Sequence, residues 1–473
     1  MVEHENGVIE NRTFDEIALG DEAWLEKRLT MEDIKLFAIM SGDVNPSHLD
    51  EGFAKSTRFH EVIAHGMWGG ALISTVLGTQ LPGPGTVYVG QTLRFNAPIT
   101  LGDVVKVSVR VTEKNNDKHE VTFACLCQNQ EGEVLIEGEA QVIAPTQKVS
   151  MPRAIMPTVR LAERGRLHEI LHAADHPEPI RMAVVHPVDE SSLRGAVEAA
   201  HQRLIIPVLV GPKSKIVAAA EKFALDISAF ELIDTPHSHA AAEKAVELTR
   251  AGRVNAIMKG ALHTDELMQA VVKREGGLRT ERCISHVMAL DVPTYPRPLL
   301  VTDAAINIKP GLAQKRDIIQ NAIDLAHALG NKNPKVALLS AVETINPNIA
   351  STLDAAALCK MAERGQIVGG TLDGPLAFDN AISEAAAKTK GIHSKVAGKA
   401  DILLAPDLES ANILMKQLTH LADATGAGLV MGASVPIVLT SRADDALTRM
   451  ASCALALIFV DFQRRQQNAM NKE

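Results

Sequence analysis

Residues 103–114 read DVVKVSVRVTEK, and the alternation puts Val105, Val107, Val109 and Val111 on one face and Lys106, Ser108, Arg110 and Thr112 on the other. A half-buried antiparallel strand follows. HEVTFACLCQ (119–128) and GEVLIEGEAQVI (132–143) repeat the pattern around the turn-like NQEGE, and TVYVGQTLRFNAP (86–98) adds a further run, so long strands lie side by side. Upstream, the reading becomes helical. Thr30 precedes MEDIKLFAIMSG with Asp33 three positions on, a capping box in which Asp replaces Glu. HGMWGGALISTVLGTQL (65–81) is apolar nearly all round and stops at LPGPG, which predicts a helix surrounded by protein. A sheet wrapped around one buried helix satisfies both signals.

Downstream, APTQKVSMPRAIMPTV (144–159) has three prolines and no sustained period, and is read as a linker. The expected boundaries are a first domain at 1–144, a linker at 145–160 and a second domain at 161–473. Beyond it, short β-rich runs such as MAVVHP, IPVLVG, NAIMKG, PLLVTDA, KVALLSA and ADILLAP alternate with Ala-rich helical stretches. That rhythm predicts an α/β domain in two lobes, built on a parallel sheet with ligands at the carboxyl ends of its strands.

Composition excludes several classes. With 46% hydrophobic and 22% charged residues, the longest apolar runs are broken well short of a membrane span. Lys plus Arg number 48 against 57 Asp plus Glu, a formal charge of -9, so no nucleic-acid partner is expected. The acidic start lacks the features of a secretory signal and the five cysteines have no metal-ligand or disulfide spacing, which points to a reducing cytosol. No metal is expected, including at His237 and His239, which lack a carboxylate or cysteine pattern.

Two constellations carry chemistry. In SGDVNPSHLD (41–50), a turn at Asn45-Pro46 can bring Asp43 and His48 together, and a carboxylate beside an imidazole can hold one water and accept or return its proton. An aspartate before Asn-Pro can also simply cap a turn. Gly66, where the apolar helix begins, can offer its N–H to a developing oxyanion or merely allow close packing. Ser74 lies two turns into that helix, while His60 and His65 fall outside the motif and receive no role. In the second domain, polar residues stand where β-rich runs end: Lys259, His263 and Thr264, Asp303 and Asn307, Asp373 and Asp379, and Ser441-Arg442, with Arg279 nearby. Arg442 matches two phosphoryl oxygens and Ser441 can donate to an oxyanion, although for such a pair taken alone a helix cap is the more ordinary explanation.

FAIMSGDVNPSHLDEGFA (37–54) with IAHGMWGGALISTVLGTQLPGPGTVYVGQTLRFNAPITLGDVV (63–105) resembles the MaoC-type R-specific enoyl-CoA hydratases, which have an α+β hot-dog fold. The resemblance implies that Asp43 and His48, matching the D-x-N-P-x-H motif, add water to a trans-2-enoyl-CoA to give an (R)-3-hydroxyacyl-CoA. It also implies that Ser74 supports them and that the domain dimerises. GGLRTERCISHVMALDVPTYPRPLLVTDAAINIKPGLAQKRDIIQNAIDLAHALG (276–330) and the segments after it resemble the phosphate acetyltransferases and phosphate butyryltransferases. This second resemblance implies reversible transfer of a short acyl group between CoA and phosphate, with Ser441 and Arg442 catalytic. Lys259, His263, Thr264 and Arg279 would line the cleft. Coenzyme A thioesters and phosphate enter as substrates, with no tightly bound cofactor, in a homo-oligomer. Acetyl-specific members carry a glycine after the Ser-Arg pair and an aspartate seven positions after the serine; here those positions are Ala443 and Thr448. Asp444, Asp445 and Asp379 stand open as replacement bases, and the TSRADD form looks closer to the butyryl-type branch. The alternative is a non-catalytic second domain that senses acyl-CoA or assembles subunits.

Overall fold

The computed structural model describes residues 7–154, 156, 159, 161, 170, 174, 177–439 and 446–470. Its contacts divide the chain into two units, Met1–Leu161 and Ala162–Glu473.

The first unit contains strands β1 (Val8–Glu10), β2 (Glu22–Arg28), β3 (Val87–Phe95), β4 (Val104–Asn115), β5 (Glu120–Gln128), β6 (Val134–Ile143) and β7 (Ser150–Pro152). Five form an antiparallel sheet in the order β2-β4-β5-β6-β3. The valines of 103–114 do what their period predicts: Val105, Val107, Val109 and Val111 are each no more than 2% exposed. Each such side chain contributes roughly 1.5–3 kcal/mol relative to leaving it in water. Helix Gly66–Thr79 lays Trp68, Gly69, Ile73, Val76 and Leu77 into this core.

Two expectations change. The opposite face of that helix, including Ala71, Ser74 and Thr75, is exposed in the chain rather than enclosed. Apart from Met67, which is 56% exposed, its residues there are small, so the apolar area left in water is mostly that one side chain. The expected linker is also partly structured: β7 pairs antiparallel with β1, Val8 opposite Pro152 and Glu10 opposite Ser150. The buried Asn11 explains why, since its amide donates to the Pro84 and Gln147 carbonyls and accepts from the Val149 N–H at 2.8 Å. One side chain ties down a segment that has no apolar period of its own.

The second unit is an eleven-stranded sheet built from β8 (Ile180–Val185), β9 (Ile205–Gly211), β10 (Glu231–Asp234), β11 (Ala256–Lys259), β12 (Ser285–Asp291), β13 (Leu299–Thr302), β14 (Lys335–Leu339), β15 (Thr371–Leu376), β16 (Ile402–Leu404), β17 (Thr425–Met431) and β18 (Ile437–Val438). The order is β10-β9-β8-β11-β18-β17-β12-β13-β16-β14-β15. It is mixed, not wholly parallel: β12 is antiparallel to both neighbours, and β17 is antiparallel to β18. Two parallel blocks, β10-β9-β8-β11-β18 and β13-β16-β14-β15, therefore point in opposite directions.

Register shows where those directions lead. Val184 pairs with Met258, Met258 with Val438, Ile437 with Val430 and Val430 with His286. On the far side, Val287 pairs with Thr302, Thr302 with Leu404, and Leu404 with Leu338. Apart from β12, which starts there, every strand on this row is at or next to its last residue. The carboxyl ends of both blocks thus meet along one row from opposite directions. Packing follows the same division. One hydrophobic core covers one face across both blocks, whereas the other face has two separate cores, around Ala183, Val185 and Ile257 and around Val301, Ala337 and Leu403. The two lobes exist on that second face. No helix among the described residues is long and apolar enough to cross a membrane, although Ala446–Met470 buries the run Cys453–Val460.

Candidate active sites

In the first unit, helix Met31–Ser41 is started by the expected box: the Thr30 side chain accepts from the Asp33 N–H and the Asp33 carboxylate accepts from the Thr30 N–H. Burial pushes the Asp33 carboxyl up, but bonds from Lys27 and Thr30 together outweigh it and hold it below the usual range. The helix ends on Gly42 at φ 76°, a left-handed turn that glycine adopts without strain, and the chain swings directly into Asp43. A short helix, Pro46–Leu49, capped by Asn45, then carries His48.

Asp43 is exposed, and its Oδ1 accepts from the Asn45 N–H at 3.2 Å. His48 Nδ1 lies 2.8 Å from the Ile63 carbonyl oxygen. A carbonyl can only accept, so Nδ1 carries the proton and Nε2 holds the lone pair. The structure brings in a third group that the sequence reading left without a role. His65 is 3% exposed, its Nε2 meets the Asp43 carbonyl oxygen at 2.9 Å, and its ring centroid lies 4.0 Å from that of His48. One ligand atom each of Asp43, His48 and His65 all fall within 4.8 Å of one another. Among the described residues, no other group of three or more His, Cys, Asp or Glu is gathered closely enough to hold a metal ion. The usable signal in the sequence was position: His65 is the residue immediately before helix Gly66–Thr79, where the first turn's N–H groups lack intrahelical partners. A Cβ at Gly66 would stand 3.0 Å from the Phe95 ring, so close approach there is real. Ser74 lies on the helix's exposed face, not in a core.

In the second unit, the expected residues fall into separate groups. Lys259, the last residue of β11, is buried with its ammonium donating to the Gly260 and Leu262 carbonyls at 3.3 and 3.2 Å. His263 stands just before helix Thr264–Val271 without a capping bond from its side chain and is exposed, as is Arg279, whose backbone forms an isolated antiparallel β-bridge with Ala433. Four strand spacings away, about 19 Å, Asp303 follows β13. Its Oδ1 accepts from the N–H groups of His286, Ala305 and Ile306, and its Oδ2 from the N–H and side-chain amide of Asn307. Five donors leave this carboxylate little capacity for a substrate; it organises the loop. Asn307 continues inward to the Ile284 carbonyl at 2.8 Å. Beside it, burial pushes the His286 imidazole down against the pull of Asp303. Asp373 lies on the edge strand β15, and the exposed Asp379 pairs with Lys390 at 3.3 Å. Ser441, Arg442, Ala443, Asp444 and Asp445 lie outside the described residues; Thr448 is a helical residue whose carbonyl accepts from Ser452 Oγ.

Comparison with known proteins assigns both units. A family model described as "MaoC like domain" matches residues 20–127, and one described as "Phosphate acetyl/butaryl transferase" matches 238–457. The chain is 56% identical over 308 residues to the phosphate acetyltransferase of Rhizobium meliloti, covering 65% of this chain and 98% of that protein. Among solved structures, a branched-chain phosphotransacylase from Enterococcus faecalis V583 aligns at 29% identity and TM-score 0.53 over 59% of this chain and 99% of that one. The R-hydratase PhaJ1 from Pseudomonas aeruginosa aligns at 44% identity and TM-score 0.32 over 33% of this chain and 99% of that one. The chain belongs to the phosphate acetyltransferase and butyryltransferase family, and carries ahead of that domain a MaoC-like hot-dog domain.

Proposed function

We propose that the chain is a bifunctional acyl-CoA enzyme. The first unit hydrates a trans-2-enoyl-CoA to an (R)-3-hydroxyacyl-CoA, and the second moves a short acyl group between CoA and phosphate. The observation that carries the first half is the dyad itself: His48 spends Nδ1 on the Ile63 carbonyl, which leaves Nε2 to take a proton from water, and a ligand atom of Asp43 lies within 4.8 Å of one of His48. Nε2 takes one proton as the water oxygen bonds to C3. Negative charge moves through C2 onto the thioester oxygen, where first-turn N–H groups at Gly66 can receive it. The dyad then returns a proton to C2, so that one water is added and both residues are restored.

The second half rests on likeness to the phosphate acetyltransferase relative and on Ser441-Arg442. Hydrogen phosphate oxygen attacks the thioester carbonyl, Arg442 grips the phosphate, Ser441 donates to the oxyanion, and as the C–S bond breaks the CoA thiolate leaves and takes up the proton that the phosphate gives up.

Both halves are tested side by side on the intact chain, by loss of crotonyl-CoA absorbance and by phosphate-dependent release of CoA from acetyl-CoA and butyryl-CoA. Asp43→Asn should abolish only the first and Arg442→Ala only the second. Unchanged hydration in Asp43→Asn overturns the first half. Absence of CoA release with either substrate overturns the second and leaves a domain that binds acyl-CoA without turning it over.

A further inference from the structure

We propose that His65 is a positioning residue for the hydration step: its ring and its Nε2–H fix the separation between the Asp43 carboxylate and the His48 imidazole. The inference rests on the hydratase reading above.

The loop's own bonds at 42–45 are short-range, the Asp43 N–H donating to Ser41 Oγ and the Asn45 N–H to Asp43 Oδ1, each at 3.2 Å, and none of them ties it to the rest of the unit. It follows a left-handed glycine, its aspartate is exposed, and it is joined to His48 only through one short helix. What grips it comes from 63–66. The Ile63 carbonyl accepts from His48 Nδ1 at 2.8 Å, the Ile63 N–H reaches the Ser47 carbonyl at 3.4 Å, and His65 Nε2 donates to the Asp43 carbonyl at 2.9 Å. The Ala64 N–H ties the segment in turn to the Ile99 carbonyl at 2.8 Å. Two hydrogen bonds of opposite sense, two residues apart, thus hold the base and the carboxylate against one rigid strip. The His65 ring completes the cradle, meeting Phe37 at 5.0 Å and His48 at 4.0 Å between centroids.

The carbonyl partner also defines the chemistry of His65. Nε2 carries its proton and spends it on the main chain, while Nδ1 is buried with no hydrogen-bond partner. Neither nitrogen is disposed to pass a proton to substrate. His65 acts through its neighbours, and a displacement of the reacting groups by about 1 Å is enough to cost on the order of 100-fold in rate.

Three variants separate the bond from the ring. His65→Gln retains an amide donor near the Nε2 position, His65→Phe retains the ring without the donor, and His65→Ala removes both. With crotonyl-CoA, His65→Ala should lower kcat roughly 10–100-fold with KM changed less than about threefold, and His65→Gln should recover most of it. His65→Phe should stay near His65→Ala. The shape of the pH profile should be retained in all three. A lost limb in that profile would make His65 a proton carrier and overturn the proposal, as would unchanged kcat in His65→Ala.

An arm without turnover keeps the proposal distinguishable from the hydratase reading. Long-range nitrogen–proton spectra of chain labelled with 15N-histidine should show His48 protonated at Nδ1 and His65 at Nε2. In His65→Ala the His48 pattern should move toward a mixture of tautomers, and in His65→Gln it should not. An unchanged His48 pattern in His65→Ala defeats the positioning role whether or not the wild-type chain hydrates crotonyl-CoA.

Discussion

Asp43 and Asp303 are the same residue type in similar sequence settings, each just after a regular element and each followed by an asparagine within four positions, yet their environments are opposite. Asp43 is exposed and accepts one bond from Asn45; Asp303 is 3% exposed and accepts five, four of them from main-chain N–H groups. A carboxylate with spare lone pairs can act on a ligand. One that has spent them builds the loop around it, and its removal would leave the buried His286 N–H and several part-buried donors without acceptors.

The largest effect expected from this contrast is on turnover. Asp43→Ala should lower crotonyl-CoA hydration by roughly 10²–10⁴-fold while changing stability by less than about 0.5 kcal/mol. Asp303→Ala should do the reverse to its own unit, costing about 3 kcal/mol through orphaned N–H groups. The two can be followed separately in urea. Both tryptophans, Trp24 and Trp68, lie in the first unit, so their fluorescence reports that unit while far-UV circular dichroism reports both. If Asp303→Ala leaves the dichroism transition in place, the saturated carboxylate is not what holds that loop. The smallest effect concerns the N-cap. Thr30→Ala should cost the first unit about 1 kcal/mol. Because the folded Asp33 carboxyl sits below its unfolded value, its contribution is present above about pH 4 and is lost as pH falls through the lower folded value. Acid titration of the fluorescence midpoint in wild type and Asp33→Asn reads that difference. A wild-type midpoint that falls no more steeply than the variant's would break it.

What could be read from the sequence was what local chain carries. The valine alternation of β4, the Thr30 cap and the five-residue spacing of Asp43 and His48 are all set by neighbours within a turn or two. His65 is 22 residues from the carbonyl it binds, and nothing local distinguishes it from a histidine that only begins a helix. Strand direction was hidden for the same reason. VMAL in β12 and GLVM in β17 are apolar runs like any parallel strand, and only their pairing across some 140 residues of chain makes them antiparallel. β7, with no apolar period, exists because Asn11 binds the backbone beside it. The Asp303 loop shows the converse limit: TDAAIN gives the right residues at the right strand end, but not that their bonds are already spent on one another.

The row on which the strand ends converge has an electrostatic consequence. Helices beginning at Glu190, Lys213, Ser238 and Thr264 follow the strands of one block, and those beginning at Leu312, Ala350, Phe378 and Leu408 follow the strands of the other. Each brings the positive end of its peptide dipoles, up to about half an elementary charge, toward the same middle line, offset in four of them by acidic residues at the cap or in the first turn: Asp189 and Glu190, Asp265 and Glu266, Asp379, and Asp407 and Glu409. The carboxylates in those first turns therefore set a titratable negative field against a fixed positive contribution from the backbone. Peptide groups do not titrate, so that part of the field should persist across the whole pH range in which the sheet stays folded.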